Sequence, residues 1–431
     1  MDATVRRVTN KVSKGYRRYV FILLFLLYFF DYVDRLVVTS LFPFIKADWG
    51  ITDAQCGLLV SAVYWSIVVV TFPASILVDR WSRKKTIAFM GIVWSLATAL
   101  CALAGRFGHL FAARTLVGIG EAGYAPGGTA MIAGLYPSEQ RSRIMGLWNI
   151  SIPLGSAVGI AIGGLVATHW DWRHAFGLVA LPGLIIALLF FRVKDYKTVV
   201  LARTVAGEGG SRQVRMGRRD LVRELSHNPT LLLTYLGFAG VVFCTTSLLT
   251  WLPTFFHRVY GIPEGQAGVR AGVVMLLALF GAPLGGYLTD AWMKTQLNAR
   301  LLFPALSTLV SGLLLFSALS FFTGIAQYAV ILLVGLTVMA FLPAAAAVTQ
   351  DVVHPGLRAI SYALCVICQN LLGASLGPVV IGALSDRFGI ERALTILPLF
   401  LVLAALLFFA GAGFYRRDLD KVEKVVLEIE A

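Results

Sequence analysis

The stretch Arg114-Thr115-Leu116-Val117-Gly118-Ile119-Gly120-Glu121 lies inside a long apolar run, residues 108–135. A run of about 20 apolar residues is enough to cross a bilayer, so this one carries an arginine and a glutamate to membrane depth. Holding a charge there is costly unless it is paired, hydrated or neutralised. Residues of this kind therefore line a water-filled path, hold a solute or carry protons. The first apolar run has its own set, Asp31-Tyr32-Val33-Asp34-Arg35. Asp34, Arg114 and Glu121 each lie more than a helical turn from the nearest end of their run. Together they predict a transporter.

The rest of the chain agrees with that reading. Of its 431 residues 58% are hydrophobic and 14% charged, whereas a soluble domain has about 45–50% apolar and about 25% charged residues. The apolar residues form twelve runs, 19–45, 54–78, 86–105, 108–135, 143–168, 175–193, 230–256, 266–290, 300–322, 325–349, 359–385 and 393–415. The expected fold is all-α: a polytopic membrane protein of twelve transmembrane helices in two pseudo-symmetric six-helix bundles. The first run is too long for a secretory signal and no small-residue cleavage site follows it, so it stays as helix one.

A net charge of +14 suggests nucleic acid at first sight, but the distribution of charge excludes it. With the N-terminus in the cytoplasm, most Lys and Arg fall on the cytoplasmic side, in the positive-inside pattern. Lys46, Arg106, Arg173, Arg258, Arg270, Arg387 and Arg392 fall outside, and Arg35 and Arg114 within the membrane. The five cysteines lie in or beside apolar runs, and Cys365-x-x-Cys368 has no companion ligands. They read as small buried side chains, with no metal or cofactor implied. The sequence has no P-loop, which argues against an ATP-driven pump in this chain, and no enzymatic motif.

Residues 194–228 are polar and arginine-rich around Gly207-Glu208-Gly209-Gly210-Ser211, the composition of a flexible linker. The chain thus divides into an N-terminal bundle 1–193, a cytoplasmic linker 194–228, and a C-terminal bundle with a short tail 229–431. The halves echo each other: helix two ends in Asp79 and helix eight in Asp290, and Gly163 and Gly382 each precede an arginine by ten residues. Such repeats place a substrate site between the halves near the midplane. Gly155, Gly159, Gly163 and Gly164 of helix five, and Gly373, Gly377 and Gly382 of helix eleven, form flat stripes that either pack statically or allow sliding. Pro153 and Pro378 are expected to kink these helices.

Two constellations carry the mechanism. Asp79-Arg80-Trp81-Ser82-Arg83-Lys84-Lys85 closes helix two on the cytoplasmic side. Its Asp can accept hydrogen bonds from a neighbouring helix N-terminus or pair with an Arg. Asp79, Arg80 and Arg83, with Asp290 repeating the pattern, are the expected cytoplasmic gate; a plain stop-transfer cluster is the alternative. In the membrane, Arg114, Gly118 and Glu121 fall on one helix face. The arginine is a fixed positive anchor, and the carboxylates of Asp34 and Glu121 can be neutralised by protons. A substrate that occupies the arginine would free a carboxylate to take one. A buried pair that only ties helices one and four together is the alternative, though apolar packing replaces such a strut easily. Asp31 and Arg35 flank Asp34 at i, i+4 spacing and are expected to pair. Arg114, Tyr124, Asn149, Thr246, Trp251, Gln369 and Asn370 are the candidate cavity lining.

Twelve helices, the 6+6 division and Asp79-Arg80…Arg83-Lys84-Lys85 resemble the major facilitator superfamily, although Ser75 and Ser82 stand where its cytoplasmic motif has Gly. Arg114…Gly118-Ile119-Gly120 resembles its fourth-helix motif. Within the superfamily the chain looks most like the Spinster-like group, through Tyr32-Val33-Asp34-Arg35, Gly118-Ile119-Gly120-Glu121-Ala122-Gly123-Tyr124, Ile152-Pro153-Leu154-Gly155, Asn370-Leu371-Leu372-Gly373 and Ser385-Asp386. The resemblance implies proton-linked movement of lipid-like amphiphiles such as lysophospholipids or sphingosine phosphates, with Asp34, Arg114 and Glu121 as the membrane charges. Organic-anion:cation symporters share a similar charge set, and Trp251-Leu252-Pro253 looks like them too. The expected partners are an amphiphilic or anionic small molecule, protons and membrane lipids. The expected state is a monomer in the inner membrane with both termini cytoplasmic.

Overall fold

The computed structural model describes residues 13–80, 82–136, 138–194, 225, 227–353 and 358–422. The expected linker falls almost entirely outside them, and so do the side chains of Asp79 and Arg80. The described residues are helical throughout, with no strand.

Among the described residues, ten helices are long and apolar enough to cross a membrane. Two other predicted runs fall short of that criterion for visible reasons. The first, α1 (Lys14–Val37), has the length but carries Asp31, Asp34 and Arg35. The fourth does not form one helix. It divides into α5 (Phe107–Glu121) and α6 (Tyr124–Leu135), because Pro126 supplies no N–H to the turn before it and Gly123 costs the helix little to break. The predicted run 325–349 divides in the same way, into Gly324–Thr337 and Leu342–Asp351, just ahead of Pro343. The fifth run breaks at Ile150 into α7 (Ser138–Asn149) and α8 (Ser151–His169), three residues before Pro153. Ahead of Pro378, residues Gln369–Ala374 wind as a π-helix, and Ser375 N–H reaches back five residues to Asn370 O at 3.0 Å. The kinks expected at the two prolines are these local rearrangements.

The helices that frame the charges are α1, α3 (Asp53–Arg80), α4 (Arg83–Ala102) and α5. α8 lies against α1 with almost no side chain between them. A Cβ on Gly155, Gly159 or Gly163 would strike the carbonyls of Phe29, Val33 and Val37 in turn. On α5, a Cβ at Gly118 would strike Val63 of α3, and one at Gly120 the backbone of Trp94 on α4. The helix-five glycine stripe, together with Gly118 and Gly120, thus seats three helices around α1 and α5 at backbone distance.

In the second half of the chain, the helices Pro229–Tyr260, Glu264–Met293 and Leu376–Phe388 carry the contacts with the first. They meet the first half at one end. Gly268 and Gly272 face the carbonyls of Ile160 and Ala157, and Gly164 faces that of Glu264. Gly57 faces Pro378, and the Ser61 hydroxyl donates to Ser375 O. Charges finish the seal. Asp53, at the start of α3, receives Arg258 through Nη1 at 2.6 Å and Nη2 at 2.8 Å, Ser385 Oγ at 2.6 Å, and Lys46 Nζ. Asp386 accepts from the backbone N–H of Asp53 at 2.7 Å and of Ala54 at 2.9 Å, where a helix N-terminus offers free donors.

Candidate functional site

Five charged side chains collect in the core of the first half: Asp31, Asp34 and Arg35 from α1, and Arg114 and Glu121 from α5. All are buried, Arg114 completely. Helical spacing places Asp31 and Arg35 on one face, and their expected pair forms at 3.0 Å. The same Arg35 Nη2 lies 2.8 Å from Glu121 Oε2. One guanidinium nitrogen therefore faces two carboxylates. Its contact with Glu121 lacks hydrogen-bond alignment, and neither Glu121 oxygen accepts a hydrogen bond. Arg35 also stands over the rings of Tyr32, at 4.6 Å, and Tyr64, at 5.5 Å, positions that favour a cation.

Arg114 is used differently. Its Nε donates to Leu59 O at 3.3 Å, Nη1 to Asp34 O at 3.1 Å, and Nη2 to Arg35 O at 3.1 Å. The Asp34 carboxylate is farther off, at 3.8 Å. Arg114 thus binds the backbones of α1 and α3 together, a task suited to the planar fork of guanidinium donors. Asp34 Oδ2 accepts from Thr98 Oγ1 at 2.8 Å, and its Oδ1 accepts no hydrogen bond.

The remaining candidates separate. Tyr124 sits beside the cluster, its hydroxyl donating to Leu24 O, its ring 5.4 Å from Tyr28. Trp148, which stacks on Tyr28 at 4.3 Å, completes an aromatic wall that the sequence did not single out. Asn149 is exposed at the end of α7. Trp251 lies in the seal, donating to Pro378 O at 3.0 Å and packed against Phe42. Thr246 is buried on Pro229–Tyr260, and Gln369 and Asn370 are half-buried in the π-helical stretch. Asp290 pairs with Arg300 at 3.4 Å, and Arg300 also meets Asp351 at 3.1 Å. Arg83 starts α4 behind the N-cap Ser82.

A buried set of carboxylates and guanidiniums, close to a seal that joins the two halves, points to a known class of proteins. Residues 24–378 match the Major Facilitator Superfamily, and the chain belongs to that superfamily of transporters. Within it the chain is Spinster-like. It is 30% identical to the Spinster homolog 1 of Bos taurus, over 89% of this chain and 75% of that protein. It is also 27% identical to the hexuronate transporter of Bacillus subtilis, over 86% of this chain and 88% of that one. The fold is similar to that of a bacterial homologue of the human lysosomal transporter Spinster in an inward-facing, unoccupied conformation. There the TM-score is 0.83 and the identity 23%, over 94% of this chain and 99% of that one.

Proposed function

We propose that this transporter works by alternating access, couples transport to protons, and moves a lipid-like amphiphile of the lysophospholipid or sphingosine-phosphate type. The observation that carries the proton part is Glu121: a buried carboxylate facing a cation that is already bonded to Asp31, with no hydrogen bond of its own. Such a group is stable in the membrane only if a proton or a better-placed cation can reach it. Asp34 and Glu121 exchange protons in this reading, while Arg114 fixes the backbone on which they sit and sets their field.

Twelve spans form two six-helix bundles, 1–193 and 229–431, joined by the linker 194–228. Both termini lie in the cytoplasm of a cell whose inner membrane holds the monomer. The sealed end is then the outer one, and Asp79, Arg80, Arg83 and Asp290 govern the inner gate.

The amphiphile reading is supported by the surface on either side of the line where α3 meets the helical region 369–388. Past Ser61 and Ser375, away from the seal, α3 exposes Val69 and Phe72, each 74% accessible. On the other side, Leu371 is exposed, and so are Ile360, Leu364 and Ile367 on the helix that leads into it. An acyl chain can occupy such a seam, whereas a sugar acid needs hydrogen-bond donors. The hexuronate transporter relative favours the second reading, a proton-coupled organic-anion symporter.

Uptake into liposomes holding purified protein, under an imposed pH gradient, separates the two. A lysophospholipid should follow the gradient, and Glu121→Gln should abolish that dependence while the protein still folds. Movement of glucuronate alone would transfer the charges to an anion symporter. Gradient-driven uptake unchanged in Glu121→Gln would reject the assignment of Glu121.

A further inference from the structure

The buried cluster holds three carboxylates, Asp31, Asp34 and Glu121, and two guanidiniums, Arg35 and Arg114. Fully ionised, it carries one uncompensated negative charge. Arg114 cannot absorb that excess, since its donors are committed to three backbone carbonyls. Asp34 has its own partner in Thr98 and its own nearby cation in Arg114. What remains is Arg35, with Asp31 and Glu121 both within ion-pair distance of the same Nη2. The Glu121 oxygens and Arg35 Nε have no hydrogen-bond partner, so the arrangement is incomplete as it stands.

We infer that Asp31 and Glu121 share a single proton across Arg35, which makes Asp31 a third member of the proton-coupling machinery. This rests on the proton-coupled reading given above. The proton and the guanidinium occupy opposite carboxylates. Ionised Asp31 paired with Arg35, beside protonated Glu121, exchanges with protonated Asp31 beside ionised Glu121 paired with Arg35. One proton is held in both states, and the cluster is neutral in both, as a buried site requires. Such a pair titrates as a unit, not as two independent acids.

Asp31 lies one helical turn from Arg35, on the side of α1 away from the seal, where it can pass a proton toward the opposite end. Among the described residues, the charged and titratable groups around it are few. Its own helix brings Tyr28, Tyr32, Asp34 and Arg35. α3 brings Tyr64, α5 brings Arg114 and Glu121, and α6 brings Tyr124. α4 brings the Thr98 hydroxyl to Asp34 and the Cys101 thiol beside Asp34 and Arg114. α8 presents its glycine stripe, its one titratable side chain being His169 at the far end. α9 (Arg173–Phe190) has Arg173 and His174 at that same far end.

Isotope-edited infrared spectroscopy of the purified full-length protein at neutral pH tests this directly, because a protonated carboxyl has its own C=O band. The wild type should show one such buried carboxyl. Asp31→Asn should lose it, because Glu121 then has Arg35 to itself, and Glu121→Gln should lose it by the reciprocal argument. Asp31→Thr serves if the amide variant does not fold, and Asp31→Glu should restore the band. In liposomes, Asp31→Asn should move lysophosphatidylcholine at a rate that no longer follows the pH gradient. A band that persists in Asp31→Asn, with an unchanged pH profile of uptake, would overturn the shared proton and leave coupling through Glu121 standing. A band lost in both variants, in a wild type that shows no gradient-driven uptake, would support the shared proton and overturn the coupling reading.

Discussion

Arg258, from the second half of the chain, closes a two-pronged ion pair on Asp53 of the first, at 2.6 and 2.8 Å. Ser385, Lys46 and the Asp386 carboxylate surround the same helix start. This junction has to come apart whenever the sealed end opens. Cys56, fully buried just inside it, is a built-in reporter. In a background lacking the other four cysteines, Arg258→Ala should speed alkylation of Cys56 by roughly tenfold or more, since about 1.4 kcal/mol of lost latch is already a factor of ten. An unchanged rate would mean that the ion pair contributes nothing to closure.

Arg114→Lys offers one nitrogen where three carbonyls were served from a fixed fork. Leaving buried acceptors unpaired costs about 1–3 kcal/mol each. The variant should therefore melt well below the wild type in detergent, besides losing transport. A residue acting only as a headgroup anchor would lose transport and keep its Tm.

Two glycines of similar setting should behave differently. Gly159 meets Val33 O within the first half, and Gly272 meets Ala157 O across the halves. Gly159→Val should lower stability by about 1–3 kcal/mol through overpacking. Gly272→Val should instead hold the halves apart, raising Cys56 alkylation with a smaller loss of Tm. Equal melting losses in the two variants would show that both contacts belong to one rigid body.

At the sealed end, a hydrogen bond from the Trp172 indole at 2.9 Å, aided by Arg173 at 3.1 Å, outweighs burial and holds the Asp48 carboxyl below its ordinary value. With the folded value depressed, this contribution is complete above the unfolded pKa of roughly 3.9 and disappears as pH falls through the folded one. The Tm difference between wild type and Asp48→Asn should be constant near neutrality and close below about pH 4. A difference independent of pH would assign the effect to packing.

The membrane class, the charged residues and the Asp31–Arg35 pair were all legible in the sequence, because apolar run length and i, i+4 spacing are local properties. The partner of Glu121 was not. Arg114 shares its helix face in sequence, yet Arg35 reaches it in space, because Gly118, Gly120 and the glycines of α8 bring the backbones so close that Arg114 is consumed by carbonyls. The break after Glu121 was readable in Gly123 and Pro126, but the apolar count passed over it. The latch on Asp53 was hidden for another reason: an acid in the first turn of a helix reads as an ordinary helix-dipole residue, and its partners lie some 200 and 330 positions away in the chain, counted by the separations of 205 and 332.

The backbone clamp made by Arg114 also sets a clock. With α1 and α5 tied carbonyl by carbonyl, the part of the charge cluster left free to move is the Arg35 side chain. Side-chain reorientations run in about picoseconds to nanoseconds where they are unhindered, and domain rocking takes about microseconds to milliseconds. Even if burial slows Arg35 a thousandfold, its position equilibrates many times within one swing of the halves. In the alternating-access cycle proposed above, each crossing samples a settled distribution of charge, and the slow step belongs to the glycine-lined contact between the halves.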